Sequence, residues 1–170
     1  NYTLIFTSGS LTSATSNSFN ITPGVKASLA FSVQPSNADM NVAISPSVEV
    51  EIQDAYGNKT TDTDSITLAV NNDPSGSATL GGTLSVAAVN GTASFSDISL
   101  DYAGVGFTLD ATAAGLTTAT SSAFNINQVA TQLAVSVQPT NTDATMVITP
   151  AIQIEVQDAN GIVVTSASDD

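Results

Sequence analysis

The chain has 170 residues, with two lysines, no arginine or histidine and fifteen acids, for a formal net charge of −13. That balance leaves no basic footprint to displace counterions from nucleic acid, and an anionic membrane surface would repel it. Cysteine is absent, which removes disulfides and thiol chemistry, and no apolar run approaches the roughly 20 residues of a membrane span.

The chain opens in mid-pattern with Asn1-Tyr2-Thr3-Leu4, as a window cut from something longer would. Ser28–Gln34 reads as the first strand of the middle stretch, followed by a polar loop from Pro35 to Asn41. Pro46–Asp54 is the second. In it Val48, Val50 and Ile52 alternate with Glu49, Glu51 and Gln53, the mark of a half-buried strand, and Asp54-Ala55-Tyr56-Gly57 supplies a hairpin turn. A short strand is expected near Lys59–Thr61 and another at Ser65–Val70. A loop dense in turn residues, Asn71 to Ser77, comes next. Leu84–Val89 and Ala93–Ile98 flank Asn90-Gly91, a two-residue hairpin signal. Gly106–Ala113 and Thr118–Ile126 complete a set of about seven strands, with turn signals at sandwich spacing and no capped helical period. The expected core is Leu29, Phe31, Val33, Val48, Val50, Ile52, Ile66, Leu68, Val70, Leu84, Val86, Phe95, Ile98, Phe107, Leu109 and Phe124. At roughly 1.5–3 kcal/mol for each large apolar side chain, that set supports a fold without crosslinks.

The chain repeats itself. Tyr2-Thr3-Leu4 and Leu11 to Ile21 recur at Phe107-Thr108-Leu109 and Leu116 to Ile126, an offset of 105 residues. Leu29 to Gly57 recurs at Leu133 to Gly161, an offset of 104, with about half the positions identical. The missing residue falls in the linker, where Thr22 to Lys26 faces Asn127 to Ala130. A period near 100 residues is too long for a solenoid unit and suits an autonomous domain. The expected organisation is therefore the end of one repeat at 1–24, a whole repeat at 25–128 and the head of the next at 129–170, with linkers at Ile21–Lys26 and Ile126–Thr131.

Three stretches carry a family resemblance: Leu29-Ala-Phe-Ser-Val-Gln-Pro35, the strand Val48–Asp54 with its Ala-Tyr-Gly-Asn turn, and Phe95 to Leu109 with Ser-Asp-Ile-Ser-Leu-Asp-Tyr-Ala-Gly. The chain resembles the tandem immunoglobulin-like repeats of large prokaryotic surface proteins, in the neighbourhood of invasin- and intimin-type modules. The resemblance implies an all-β fold of Ig-like antiparallel β-sandwiches in tandem. It also implies an extracellular or cell-surface location and a role in a stalk, adhesin, surface layer or fibre. Implied partners are neighbouring Ig-like repeats of the same or an identical chain, with a surface glycan or protein as the alternative. A further reading is self-assembly into an extracellular filament, with strands or linkers passed between neighbouring chains. Nucleic acid and membrane insertion are not expected.

Candidate chemistry is sparse. Asp54, Asp62, Asp64 and Asp73, with Asn71 and Asn72, could gather oxygen ligands for calcium, the one cofactor the sequence suggests. Their spacing matches no EF-hand or other calcium loop, and acids at solvated turns are the plainer reading. Asp97, Asp101 and Tyr102 read as a corner between strands, with side chains bonded to backbone. Lys26 and Lys59 are the only lysines for an isopeptide crosslink, and neither recurs in the second copy. Sequons at Asn1, Asn20, Asn58 and Asn90 are no more frequent than so much serine and threonine produces by chance. Glu49 and Glu51 share an exposed strand face, the pattern of a solvated surface. No catalytic constellation is present, and no enzyme is expected.

Overall fold

The computed structural model describes residues 1–165, so the last five residues of the expected 129–170 segment lie outside the described residues. The described chain is all β: β1 (Ile5–Phe6), β2 (Ala14–Thr15), β3 (Lys26–Val33), β4 (Ala38–Asp39), β5 (Val48–Asp54), β6 (Ser65–Asn72), β7 (Leu80–Gly81), β8 (Ser85–Ala87), β9 (Thr92–Phe95), β10 (Ser99–Leu100), β11 (Gly104–Thr112), β12 (Ala119–Thr120), β13 (Phe124–Asn127), β14 (Gln132–Val137) and β15 (Gln153–Gln157). Among the described residues no helix is long and apolar enough to cross a membrane.

Two sheets form the centre. One runs β3-β5-β9; the other has six strands, β4-β13-β11-β6-β8 with β12 also on β11. Among the described strands pairing is antiparallel except between β13 and β4, where Ile126 faces Ala38 in parallel; a single parallel bridge also joins Ser28 to Thr117. Strand β5 is buried on alternate residues as its sequence requires: Val48, Val50 and Ile52 are fully buried, and Glu49, Glu51 and Gln53 half-buried. Residues from both sheets, including Val50, Ile52, Leu68, Phe95, Phe107 and Leu109, join one core cluster confined to residues 29–126. This two-layer arrangement is what a β-sandwich has.

Most expected core positions are buried, with Phe31, Val70, Leu84 and Val86 packed at its margin and Val33 half-exposed. Met40, Ile44, Leu80, Leu100 and Ile126 belong to the core as well, though they sit in loops, two-residue strands or strand ends where periodicity has too few turns to show.

Three expectations change. Asn90 and Gly91 do form a tight turn, both with positive φ (50° and 77°), and Val89 bridges Thr92. The flanking strands then part: β8 pairs with β6 and β9 with β5, so the turn carries the chain between sheets. The expected strand at Lys59–Thr61 reduces to one bridge, Gln53 to Lys59, because the chain then turns to receive Gly91, whose N–H donates to the Asp62 carbonyl at 3.1 Å. The expected strand Thr118–Ile126 splits into β12 and β13. Between them the buried Ser121 Oγ accepts the Leu109 N–H at 3.0 Å and donates to the Ser122 carbonyl, taking the place of a ladder bond.

The end segments form hairpins of their own. Strands β1 and β2 pair with Ile5 opposite Thr15, and Asp110 lies opposite Thr120 in β11 and β12. Tyr2 and Phe19 have ring centroids 6.1 Å apart, as do Phe107 and Phe124. At the other end β14 and β15 reproduce the β3–β5 register, Leu133 opposite Val156 as Leu29 is opposite Ile52.

Candidate functional site

The turn that ends β5 is built by one carboxylate. The Asp54 N–H donates to the Asn58 carbonyl at 2.9 Å and Gly57 N–H to the Asp54 carbonyl at 3.1 Å, with Gly57 at φ +80°. Asp54 Oδ1 then accepts the N–H groups of Tyr56 and Asn58, each at 2.9 Å, the local bonding that favours Asp at turns. Its other oxygen does something the turn does not require: Oδ2 accepts the Gly24 N–H at 2.8 Å, thirty residues earlier in the connecting segment. Asn58 Nδ2 donates to the same oxygen at 3.0 Å.

Asp158 repeats this. Its Oδ1 accepts the N–H groups of Asn160 and Ile162, each at 2.9 Å, and Oδ2 accepts Gln128 Nε2 at 2.9 Å. A side chain at the second connection thus replaces the backbone amide used at the first. Both aspartates are buried, at 3% and 1% exposure, with every bond from a donor. The Gly24 N–H, with Asn58 and Tyr56, holds the Asp54 carboxyl far below the usual range. Burial pushes Asp158 upward, but Gln128 and the N–H groups of Ile162 and Asn160 outweigh it, so its carboxyl is also lowered. Next to this turn, Asn160 Nδ2 donates to the Asp101 carbonyl at 2.8 Å, tying the last hairpin to the central body.

The other candidate acids are engaged elsewhere. Lys26 Nζ lies 2.6 Å from both Asp64 oxygens and 4.0 Å from Asp62, and the bond from Asp64 raises the lysine pKa. These side chains are a quarter to two-fifths exposed, where an ion pair contributes little. Lys59 Nζ donates to Thr92 Oγ1 at 2.9 Å and sits 3.6 Å from Glu51. Asp73 closes its own loop, accepting Ser75 Oγ at 2.6 Å and the N–H groups of Ser75 and Ala78 at 2.9 Å, which lowers its pKa. The structure therefore gathers Asp62 and Asp64 around Lys26 and leaves Asp54 and Asp73 apart at their own turns. Among the described residues no group of three or more acids could hold a metal ion.

Asp97 and Asp101 bond backbone between strands, as the sequence suggests, accepting the N–H groups of Thr83 at 3.0 Å and Thr79 at 2.6 Å. Tyr102 is half-buried, and among the described residues its hydroxyl makes no such bond. A recess near the C-terminal hairpin is lined by Asn141, Asp143, Met146, Val147 and Thr149. By the 104-residue offset it corresponds to the loop where Ile44 enters the central core, while its counterpart Ile148 is 41% exposed.

Sequence reasoning placed Asp54 and Asp158 in turns but did not find their bonds to Gly24 and Gln128. The signal was the recurrence of an aspartate at a fixed distance from each linker.

No family model matches the chain, and no curated protein matches it. Among solved structures it is similar to a glycosyl hydrolase family 2 member from Bacteroides cellulosilyticus at 17% identity and a TM-score of 0.48. The match covers 71% of this chain and 16% of that one, so this chain spans about a sixth of that protein's length. At that similarity the match carries no argument about fold or activity.

Proposed function

We propose that the chain is a spacer: tandem Ig-like repeats of an extracellular stalk, fibre or surface-layer protein, mechanical in role and without catalysis. The observation that carries this reading is the repeated carboxylate clamp. In each copy a buried aspartate bonds its own turn with one oxygen and the preceding linker with the other. A linker fastened in this way cannot swing freely, so successive sandwiches keep a set spacing and direction. The Asn160 bond to the Asp101 carbonyl adds a contact from one repeat to the next. The acidic, threonine-rich surface supports the reading, since like charge keeps neighbouring chains from sticking.

The adhesin alternative needs a loop-end site that holds a ligand. Small-angle X-ray scattering on dilute, monodisperse protein tests the spacer. The expected radius of gyration lies well above the ~15 Å of a compact 170-residue globule, and loosening the second clamp with Asp158→Ala broadens the distance distribution. A compact particle, or one that Asp158→Ala leaves unchanged, removes the argument for a clamped rod. Selective capture of one glycan by the central loops would replace it with the adhesin.

A further inference from the structure

The opening stretch of the central repeat and its closing stretch run side by side in the same direction. The Thr117 N–H donates to the Ala27 carbonyl and the Leu29 N–H to the Thr117 carbonyl, each at 3.0 Å, around the parallel bridge of Ser28 to Thr117. Further on, β4 and β13 pair in parallel, Ala38 with Ile126 and Asp39 with Asn127, and the Met40 N–H donates to the Asn127 carbonyl at 3.1 Å. Between these two points the backbone ladder is interrupted. Pro35 follows β3 and brings no N–H, while Ser121 to Ala123 separate β12 from β13.

Side chains take over in the gap. Gln34 Oε1 accepts the Ser122 N–H and Asn37 Oδ1 the Asn125 N–H, each at 2.8 Å, and Asp39 Oδ1 accepts Asn127 Nδ2 at 2.9 Å. Each bond spans 88 residues, so the three hold one register, the same one that sets Ala38 opposite Ile126. All three acceptors are exposed, where water can replace a hydrogen bond and its net contribution to stability is small. The pattern nevertheless recurs. Gln34-Pro35-Ser36-Asn37-Ala38-Asp39 returns as Gln138-Pro139-Thr140-Asn141-Thr142-Asp143, with the proline and all three acceptors identical and the residues between them changed.

Direction gives these bonds a use that equilibrium stability does not. One linker enters at Lys26 and the other leaves after Asn127, and because the two stretches run the same way these points lie at opposite ends of the seam. Tension between the linkers therefore slides β13 along the 27–40 stretch and loads the bonds of the seam together, instead of opening them one at a time. We propose that this parallel seam is the load-bearing element of the repeat, with Gln34, Asn37 and Asp39 placed to resist force. The proposal deepens the spacer reading and rests on it, since a stalk or fibre keeps its spacing under tension only while each repeat stays folded. Forced unfolding follows the unfolding rate, which bonds loaded in this way slow even where they add little at equilibrium.

Single-molecule pulling on the whole chain tests it. Cysteine is absent, so introduced pairs define where force is applied. Val25→Cys with Ala130→Cys loads the seam in shear. Val25→Cys with Tyr56→Cys, at residues 87% and 91% exposed, instead opens β3 from β5 at the Lys26–Asp54 end, pair by pair. The unfolding force should be several-fold higher across the first pair. Replacing Gln34, Asn37 and Asp39 together by alanine removes three of the six bonds named above and should lower that force by about half. Across the second pair the same variant should unfold like the parent, because its missing bonds are not yet loaded when β3 parts from β5. A variant that weakens both geometries in equal proportion overturns the proposal, since the three side chains then support general stability alone. Equal forces for the parent in the two geometries overturn it as well. Either failure leaves the spacer reading untouched, because scattering from the unloaded chain depends on the linker clamps and not on the seam.

Discussion

Truncating Phe107 and Tyr2 to alanine compares one position in two settings. Each ring pairs with a phenylalanine at 6.1 Å, Phe107 with Phe124 and Tyr2 with Phe19, at interplanar angles of 35° and 37°. Their surroundings differ: Phe107 is fully buried and Tyr2 57% exposed. The Phe107 ring also lies so close under Gly104 that a Cβ there would come within 2.9 Å of it, so the cavity left by Phe107→Ala has a rigid backbone on one side and cannot readily collapse. The expected cost is about 3–5 kcal/mol, a large part of the ~5–15 kcal/mol that holds a domain folded. For a cooperative unit near 100 residues this lowers the melting temperature by roughly 15–30 °C. Tyr2→Ala loses only a tilted aromatic contact at the surface, about 1 kcal/mol confined to the first hairpin, and leaves the main transition where it was. Calorimetry on dilute protein reads both. Equal effects, or a loss below ~1 kcal/mol for Phe107→Ala, would refute the division between a single central core and uncovered hairpins.

Gly91→Ala should destabilise by on the order of 3 kcal/mol, because a Cβ at φ +77° would overlap the Thr60 carbonyl oxygen, whereas Gly76→Ala, at φ +69° with open space around it, should cost only ~1 kcal/mol; urea unfolding of the two variants measures the difference. Asp54, Asp73, Asp97 and Asp158 all have lowered pKa values, so the unfolded chain takes up protons at the ordinary carboxylate pKa near ~3.9 while the folded chain resists until lower pH. The melting temperature should therefore hold above about pH 5 and fall steadily below about pH 4, and a flat profile down to pH 2 would contradict the bonding described for these groups. Millimolar calcium should leave the melting temperature unchanged, since Asp54 and Asp73 are engaged by the N–H and hydroxyl donors of their own turns and Asp62 and Asp64 face Lys26; a rise of several degrees would restore the calcium reading.

How much of the fold was legible depended on the length of each element. β5, β6 and β11 are seven to nine residues long, so alternation has room to declare itself, and their buried residues were expected almost one by one. The two-residue strands β4, β7 and β10 were not expected, because they hold no full period; they exist because loops are pinned by side chains, as Asp101 pins Thr79 beside β7. Asn90-Gly91 was read correctly as a turn and incorrectly as a hairpin joining paired strands. Local sequence dictates the positive φ of both residues, but which sheet each flanking strand joins is decided by long-range partners, Ile66 for Val86 and Val50 for Ala93.

Asp54 shows the same limit at the junction. Its turn is local, four residues long, and follows from Asp, Gly and the strand before them. Its bond to Gly24 spans thirty residues and depends on how the linker enters β3, which no window of sequence contains. What sequence does contain is the second copy, and there the linker has changed: one residue is gone and Gln128 brings an amide on a side chain to the place where Gly24 brings one on the backbone. The linker sequence drifted while the acceptor stayed an aspartate. An acceptor needed only for its turn would place no demand on the linker, whereas a clamp requires a donor there, and both linkers provide one. In both copies the repeated aspartate therefore takes one bond from the segment before its strand, from a backbone N–H at Gly24 and from a side-chain amide at Gln128.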